Sequence, residues 1–175
     1  MWIAFFSQTG SEIADIAEKL GRWPDRIITN ERPDNLRTID PRIEKRHYWT
    51  FPNKPNEENY MEVLEFFPNS LVTLHGWLRI IPEIVCKHST IYNGHPGLIT
   101  KYPELKGKDP QKRAFKEQYP EIGTVIHEVT AGVDEGEVIL SNSVEVKNLE
   151  LDETFAILRK LSLELWVEFL SSHKN

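Results

Sequence analysis

The sequence predicts an α/β fold: a Rossmann-like open, mostly parallel sheet with helices on both faces and an antiparallel strand pair near the C-terminus. Three observations carry that prediction. The chain opens on the apolar block Trp2-Ile3-Ala4-Phe5-Phe6, runs through the polar turn Ser7–Ser11, and continues with Ile13, Ile16, Ala17 and Leu20 at helical spacing before Gly21. Strands buried on both faces of a parallel sheet read as such blocks rather than as alternations. Short strand-like segments at Leu71–Leu74 and Thr90–Tyr92 likewise run into Gly-containing turns, Gly76–Arg79 and Asn93–Gly97. Near the end, Thr124–Val129 and Val138–Val146 are two strand patterns joined by the turn Gly132–Gly136, which predicts an antiparallel pair.

The remaining elements follow in order. Asp25–Thr29 reads as a second strand, and residues 30–46 as mostly loop with one short helix, because they hold many charges and few apolar positions. His47–Phe51 has β-favouring side chains, and Pro52–Pro55 turns the chain. Asn56 can cap a helix that carries Tyr60, Val63, Leu64 and Phe67 on one side and stops at Pro68-Asn69. Trp77–Ile81 is a short helical or turn segment, and a helix spans about Pro110 to Gln118. Leu151–Phe169 is the clearest helix, with Asp152 as its cap and Phe155, Leu158, Leu161, Leu165 and Phe169 as its buried stripe. No linker divides the chain, so residues 1–175 are expected to form a single catalytic domain.

Composition narrows the function classes. A formal net charge of -6 argues against a general nucleic-acid partner, which needs a basic face. One cysteine, Cys86, permits no intrachain disulfide, and no pair of histidines has metal-ligand spacing, so no metal is expected. The apolar start lacks a basic leader and no run approaches the length of a bilayer span, so a cytoplasmic protein with no membrane partner is expected.

In open α/β sheets, ligands bind outside the carboxyl ends of the strands. Three turns fall there: Ser7–Ser11, Gly76–Arg79 and Asn93–Gly97. The last places an amide and an imidazole two residues apart, which in extended chain puts both on one side. An amide donor can stabilise an oxyanion while a charged imidazole polarises the carbonyl, the pairing that acyl transfer needs. Asp134, in a turn between two strands, can pair with His95, raise its pKa and take a proton from an attacking amine. His127, inside a strand pattern, reads as structural, with a place near the site as the alternative. Lys101, Lys106, Lys108, Lys112, Arg113 and Lys116 form a basic segment that reads as a solvated loop and helix face, or alternatively as a loop that reads an anion.

Three blocks, His75–Ile81, Asn93–Tyr102 and Gly123–Leu140, resemble the formyltransferases that use 10-formyltetrahydrofolate, most closely the glycinamide ribonucleotide transformylases. Asn93, His95, Pro96, Gly123, Thr124, His127, Val129, Thr130, Asp134 and Gly136 match that family's series in order. The resemblance also takes in the N-terminal domain of methionyl-tRNA formyltransferases, although a tRNA acceptor is not expected, given the acidic net charge. It implies formyl transfer from 10-formyltetrahydrofolate, as co-substrate, to a small-molecule primary amine in one-carbon metabolism and purine biosynthesis. Asn93, His95 and Asp134 would be catalytic. Trp77, Leu78, Arg79, Ile80, Ile81, Thr130 and Val133 would line the folate site, and Gly10, Ser11 and Glu12 would meet the acceptor. A homodimer is compatible with this reading. One departure stands out: Glu12 occupies a position where phosphoribosyl-binding members carry Asn, and a carboxylate repels phosphate. The alternative acceptor is therefore another amine, on an amino-sugar nucleotide or a modified nucleotide.

Overall fold

A computed structural model describes residues 1–32 and 38–173; the loop expected over 33–37 lies outside the described residues. The chain divides into two units. Met1–Asn93 with Val129–Ala131 form the first, and Gly94–Glu128 with the residues from Gly132 onward form the second.

The first unit begins β1 (Trp2–Phe5), α1 (Ser11–Leu20), β2 (Arg26–Asn30), α2 (Pro41–Glu44) and β3 (Trp49–Phe51). It continues α3 (Glu57–Phe66), β4 (Leu71–Leu74), α4 (Glu83–His88) and β5 (Ile91–His95), whose last two residues belong to the second unit. Its strands lie in the order β3-β2-β1-β4-β5 and pair in parallel throughout. The chain therefore winds outward from β1 through β2 to β3, then returns through α3 to place β4 on the other side of β1. The switch point of the winding lies between the carboxyl ends of β1 and β4, where ligand crevices form in such sheets. Two turns are tied together there, by His75 N–H donating to the Phe5 carbonyl at 2.8 Å and Leu78 N–H to Ser7 Oγ at 2.9 Å.

Residue choice explains the local geometry. β1 is buried along its whole length, as its apolar block required. Gly10 caps α1 in the left-handed region at φ 75°, and a Cβ there would meet Ile43 Cγ1 at 3.0 Å, so both backbone and space demand glycine. Asn56 caps α3 as expected, exchanging hydrogen bonds with Asn59 at 3.0 and 2.9 Å. Trp77–Ile81 is turn rather than helix, since Pro82 forces the preceding residue out of helical geometry and α4 starts only at Glu83. Beneath it, Phe5, Phe51, Tyr60 and Trp77 pack edge to face, with ring centroids 5.3 Å apart for Phe5–Trp77 and 5.6 Å for Phe51–Tyr60.

The second unit holds a 3₁₀ turn (Pro103–Leu105), α5 (Pro110–Lys116), β6 (Glu121–Glu128), β7 (Val138–Glu145) and α6 (Leu151–Ser172). β6 and β7 are antiparallel, as their turn predicted, with an irregularity in register between Ile126 and His127. The start of α6 differs from expectation. Glu150, not Asp152, is its cap, in a capping box with Glu153, and Asp152 sits in the first turn where a carboxylate favours the helix dipole. Phe155 is exposed, and Thr154, Trp166 and Leu170 are buried alongside Leu158, Leu161, Leu165 and Phe169. No helix among the described residues is long and apolar enough to cross a membrane.

Beside the switch point runs a buried polar chain. Trp2 Nε1–H donates to Thr73 Oγ1 at 2.8 Å, and the same hydroxyl meets His75 Nε2 at 2.8 Å. Thr73→Val keeps the shape and deletes the hydroxyl, stranding the Trp2 indole N–H in the core. It should lower stability by about 1–3 kcal/mol in urea unfolding, with Thr73→Ser restoring most of the loss. Equal stability of the valine variant would show that the chain is ornamental.

Candidate active site

The second unit brings two of the singled-out side chains, His95 and His127, to the carboxylate of a third, Asp134. Asp134 stands at φ 53°, a left-handed conformation that Asp tolerates better than most residues, which fixes its place in the β6–β7 turn. Its Oδ2 lies 3.3 Å from His95 Nδ1 and accepts the Gly107 N–H at 2.8 Å, while its Oδ1 lies 3.2 Å from His127 Nε2. His95 and His127 are buried, and their other ring nitrogens face backbone carbonyls: His95 Nε2 that of Leu105 at 2.9 Å, His127 Nδ1 that of Glu128 at 2.9 Å.

His127 is the site residue that sequence reasoning set aside as structural. Its signal was its order in the matched series, seven positions before Asp134. What no pattern displayed is the register irregularity beside it, the local distortion that re-aims side chains at strand ends.

Electrostatics here run partly against expectation. Pairing with Asp134 was expected to raise the His95 pKa. Instead burial holds it below the ordinary histidine range, and the Asp134 charge and the Leu105 carbonyl only offset part of that cost. For Asp134, burial pushes upward, but the His127 hydrogen bond, His95 and the Gly107 N–H together hold it below the ordinary carboxylate range. The resting pair is thus an ionised carboxylate beside an imidazole that resists charging. An imidazole of that kind serves as a proton acceptor at neutral pH.

The other residues expected to be catalytic, to line the folate site or to meet the acceptor are in the first unit, apart from Val133. Asn93 lies two residues before His95, in the carboxyl-terminal half of β5. Gly10, Ser11 and Glu12 open α1, and Glu12 Oε1 is 3.0 Å from His75 Nδ1. Because a carboxylate only accepts, His75 Nδ1–H donates to Glu12 Oε1. The Trp77 and Ile81 side chains belong to the core, whereas Leu78 and Ile80 expose 46% and 76% of their surface. Arg79 donates to the Asn53 carbonyl at 2.6 Å and the Leu78 carbonyl at 2.9 Å, which ties its turn to the Pro52–Pro55 turn. Thr130 is exposed, as is Val133 in the second unit. Among the described residues, no group of three or more His, Cys, Asp or Glu side chains has metal-holding geometry.

The depressed pKa values fix the sign of the pH dependence. His95 binds its proton less tightly folded than unfolded, so its contribution is complete above its ordinary value of 6.5 and is lost as pH falls below it. Asp134 contributes above 3.8 and loses that contribution as pH falls through its lower folded value. Stability should therefore decline on acidification from about pH 7 to 5, and His95→Gln should flatten that segment in denaturation series. An unaltered slope in the variant would remove His95 as the proton site.

Comparisons with known proteins show the fold and the family. The human trifunctional purine biosynthetic protein adenosine-3 is 31% identical over 150 residues, 85% of this chain and 13% of that protein. A methionyl-tRNA formyltransferase of Fervidobacterium nodosum is 27% identical over 123 residues, 70% of this chain and 38% of that protein. The chain thus spans well under half the length of these curated relatives. A solved phosphoribosylglycinamide formyltransferase from Streptococcus pneumoniae TIGR4 shares the fold, with a TM-score of 0.80 at 21% identity over 98% of this chain and 97% of that one. A family model described as Formyl transferase matches residues 26–164, and the chain belongs to that family.

Proposed function

We propose that this protein transfers a formyl group from 10-formyltetrahydrofolate to a primary amine, in the manner of phosphoribosylglycinamide formyltransferases. The observation that carries the reading is the pairing of buried His95, two residues beyond Asn93 on β5, with Asp134, Nδ1 to Oδ2 at 3.3 Å. The folate supplies an activated formyl carbon, and the residues supply proton transfer and charge stabilisation, with no covalent link to the protein. Asn93 donates its amide N–H to the formyl oxygen as negative charge develops there. His95 Nδ1 takes the proton that the amine loses on forming its bond to the formyl carbon, and Asp134 stabilises the resulting imidazolium. His95 then returns the proton to the folate nitrogen as its bond to the formyl carbon breaks, so one proton moves and nothing is oxidised or reduced. The exposed Leu78 and Ile80 side chains offer apolar surface suited to a flat pterin ring.

A second reading concerns the acceptor alone. The Glu12 carboxylate, paired with His75 at the switch point, is a poor neighbour for a phosphate monoester and favours an amine on another scaffold, such as an amino-sugar nucleotide. Supplying 10-formyltetrahydrofolate with a panel of amines and following tetrahydrofolate release separates the two. His95→Ala and Asp134→Asn should each lower kcat about 10²- to 10⁴-fold while donor affinity changes little. Near-normal turnover by either variant would sink the assigned roles. Glu12→Asn should improve kcat/KM for phosphorylated acceptors relative to others, and an unmoved preference would dismiss the second reading.

A further inference from the structure

Arg113, expected on a solvated helix face, instead reaches back over the segment before its own helix. Its guanidinium donates to four carbonyls of one loop: Lys108 at 2.9 Å, Lys106 at 2.8 Å, Leu105 at 3.1 Å, and Glu104. No lysine can do this, because the grip uses all three nitrogens of a planar fork. The gripped loop is also the loop that touches the His95–Asp134 pair twice, through the Leu105 carbonyl on His95 Nε2 and the Gly107 N–H on Asp134 Oδ2.

Those two contacts settle a question that the pair leaves open. A neutral imidazole has one N–H, and His95 has an acceptor on either side. The Leu105 carbonyl at 2.9 Å makes a full hydrogen bond, whereas the Asp134 contact at 3.3 Å is looser. The Nε2 edge is closed as well: a Cβ on Gly97 would stand 3.0 Å from Nε2, so the Gly97 backbone lies against it. We infer that Arg113 is a positioning residue that, through the Leu105 carbonyl, holds neutral His95 as the Nε2–H tautomer and leaves Nδ1 as its proton-accepting atom. Arg113 touches no reacting atom in this scheme. It acts by fixing a carbonyl whose place selects which ring nitrogen is basic. The inference rests on the formyl-transfer reading for its kinetic consequence but not for its structural one.

The test uses the uniformly ¹⁵N-labelled full-length chain, with wild type compared to Arg113→Met and Arg113→Lys. Imidazole ¹H–¹⁵N spectra at about pH 8 distinguish the tautomers, and His95→Gln assigns the His95 signals. Wild-type His95 should show the Nε2–H pattern. Arg113→Met should add the Nδ1–H form and lower kcat ~10-fold or more, with KM for the formyl donor held within about twofold. Arg113→Lys should fall between them. A wild-type Nδ1–H pattern would overturn the inference without any variant, as would Arg113→Met retaining both the Nε2–H pattern and wild-type kcat. If Arg113→Met does not fold, the wild-type spectrum and Arg113→Lys decide the matter. Failure of the wild type to turn over the formyl donor with any amine would instead overturn the proposed reaction, and the tautomer would still be read from the spectrum.

Discussion

The carboxylate of Asp134 is approached from three sides: by an imidazole from β5, by an imidazole from β6, and by a backbone N–H from the loop between the 3₁₀ turn and α5. A buried charge is tolerated only where such partners replace water, and here each comes from a different stretch of the second unit. Removing one partner would leave a desolvated charge that the others cannot fully satisfy. The left-handed backbone at Asp134, the irregular register at His127 and the Arg113 grip are all local distortions. Their shared result is that three segments reach one point, and strain or irregularity retained beside a site is consistent with its being used.

The first unit solves a different problem with similar parts. Trp2, Thr73, His75 and Glu12 form a directed chain in which each donor meets one acceptor, ending on a carboxylate at the mouth of the switch point. In the second unit every ring nitrogen of His95 and His127 faces an oxygen.

Much of this was legible from spacing. The apolar block of β1, the Asn56 cap and the Asn93–His95 interval follow from periods and side-chain chemistry that act within a few residues. Three features were not. Phe155 fits the helical stripe but lies exposed near the start of α6, because periodicity does not say where packing against the unit begins. Arg113 bonds to backbone carbonyls, and every residue has one, so its partners leave no mark in the sequence. The sign of the His95 shift was missed because pairing can be guessed from residue types while burial depends on packing from distant positions.

That last point bears on catalysis. A fully exposed histidine beside a carboxylate would tend to be charged near neutral pH and could not accept a proton from an attacking amine. A fully buried one without a carboxylate would resist charging so strongly that the imidazolium would be too costly to form. His95 lies between these limits, with burial lowering its affinity for a proton while Asp134 and the Leu105 carbonyl restore part of it. The balance depends on the Leu105 carbonyl staying in place, and therefore on the loop that carries it. The basic segment beside the Asn93–Gly97 turn thus contributes, through Arg113, to the basicity of a group it does not touch in the reaction.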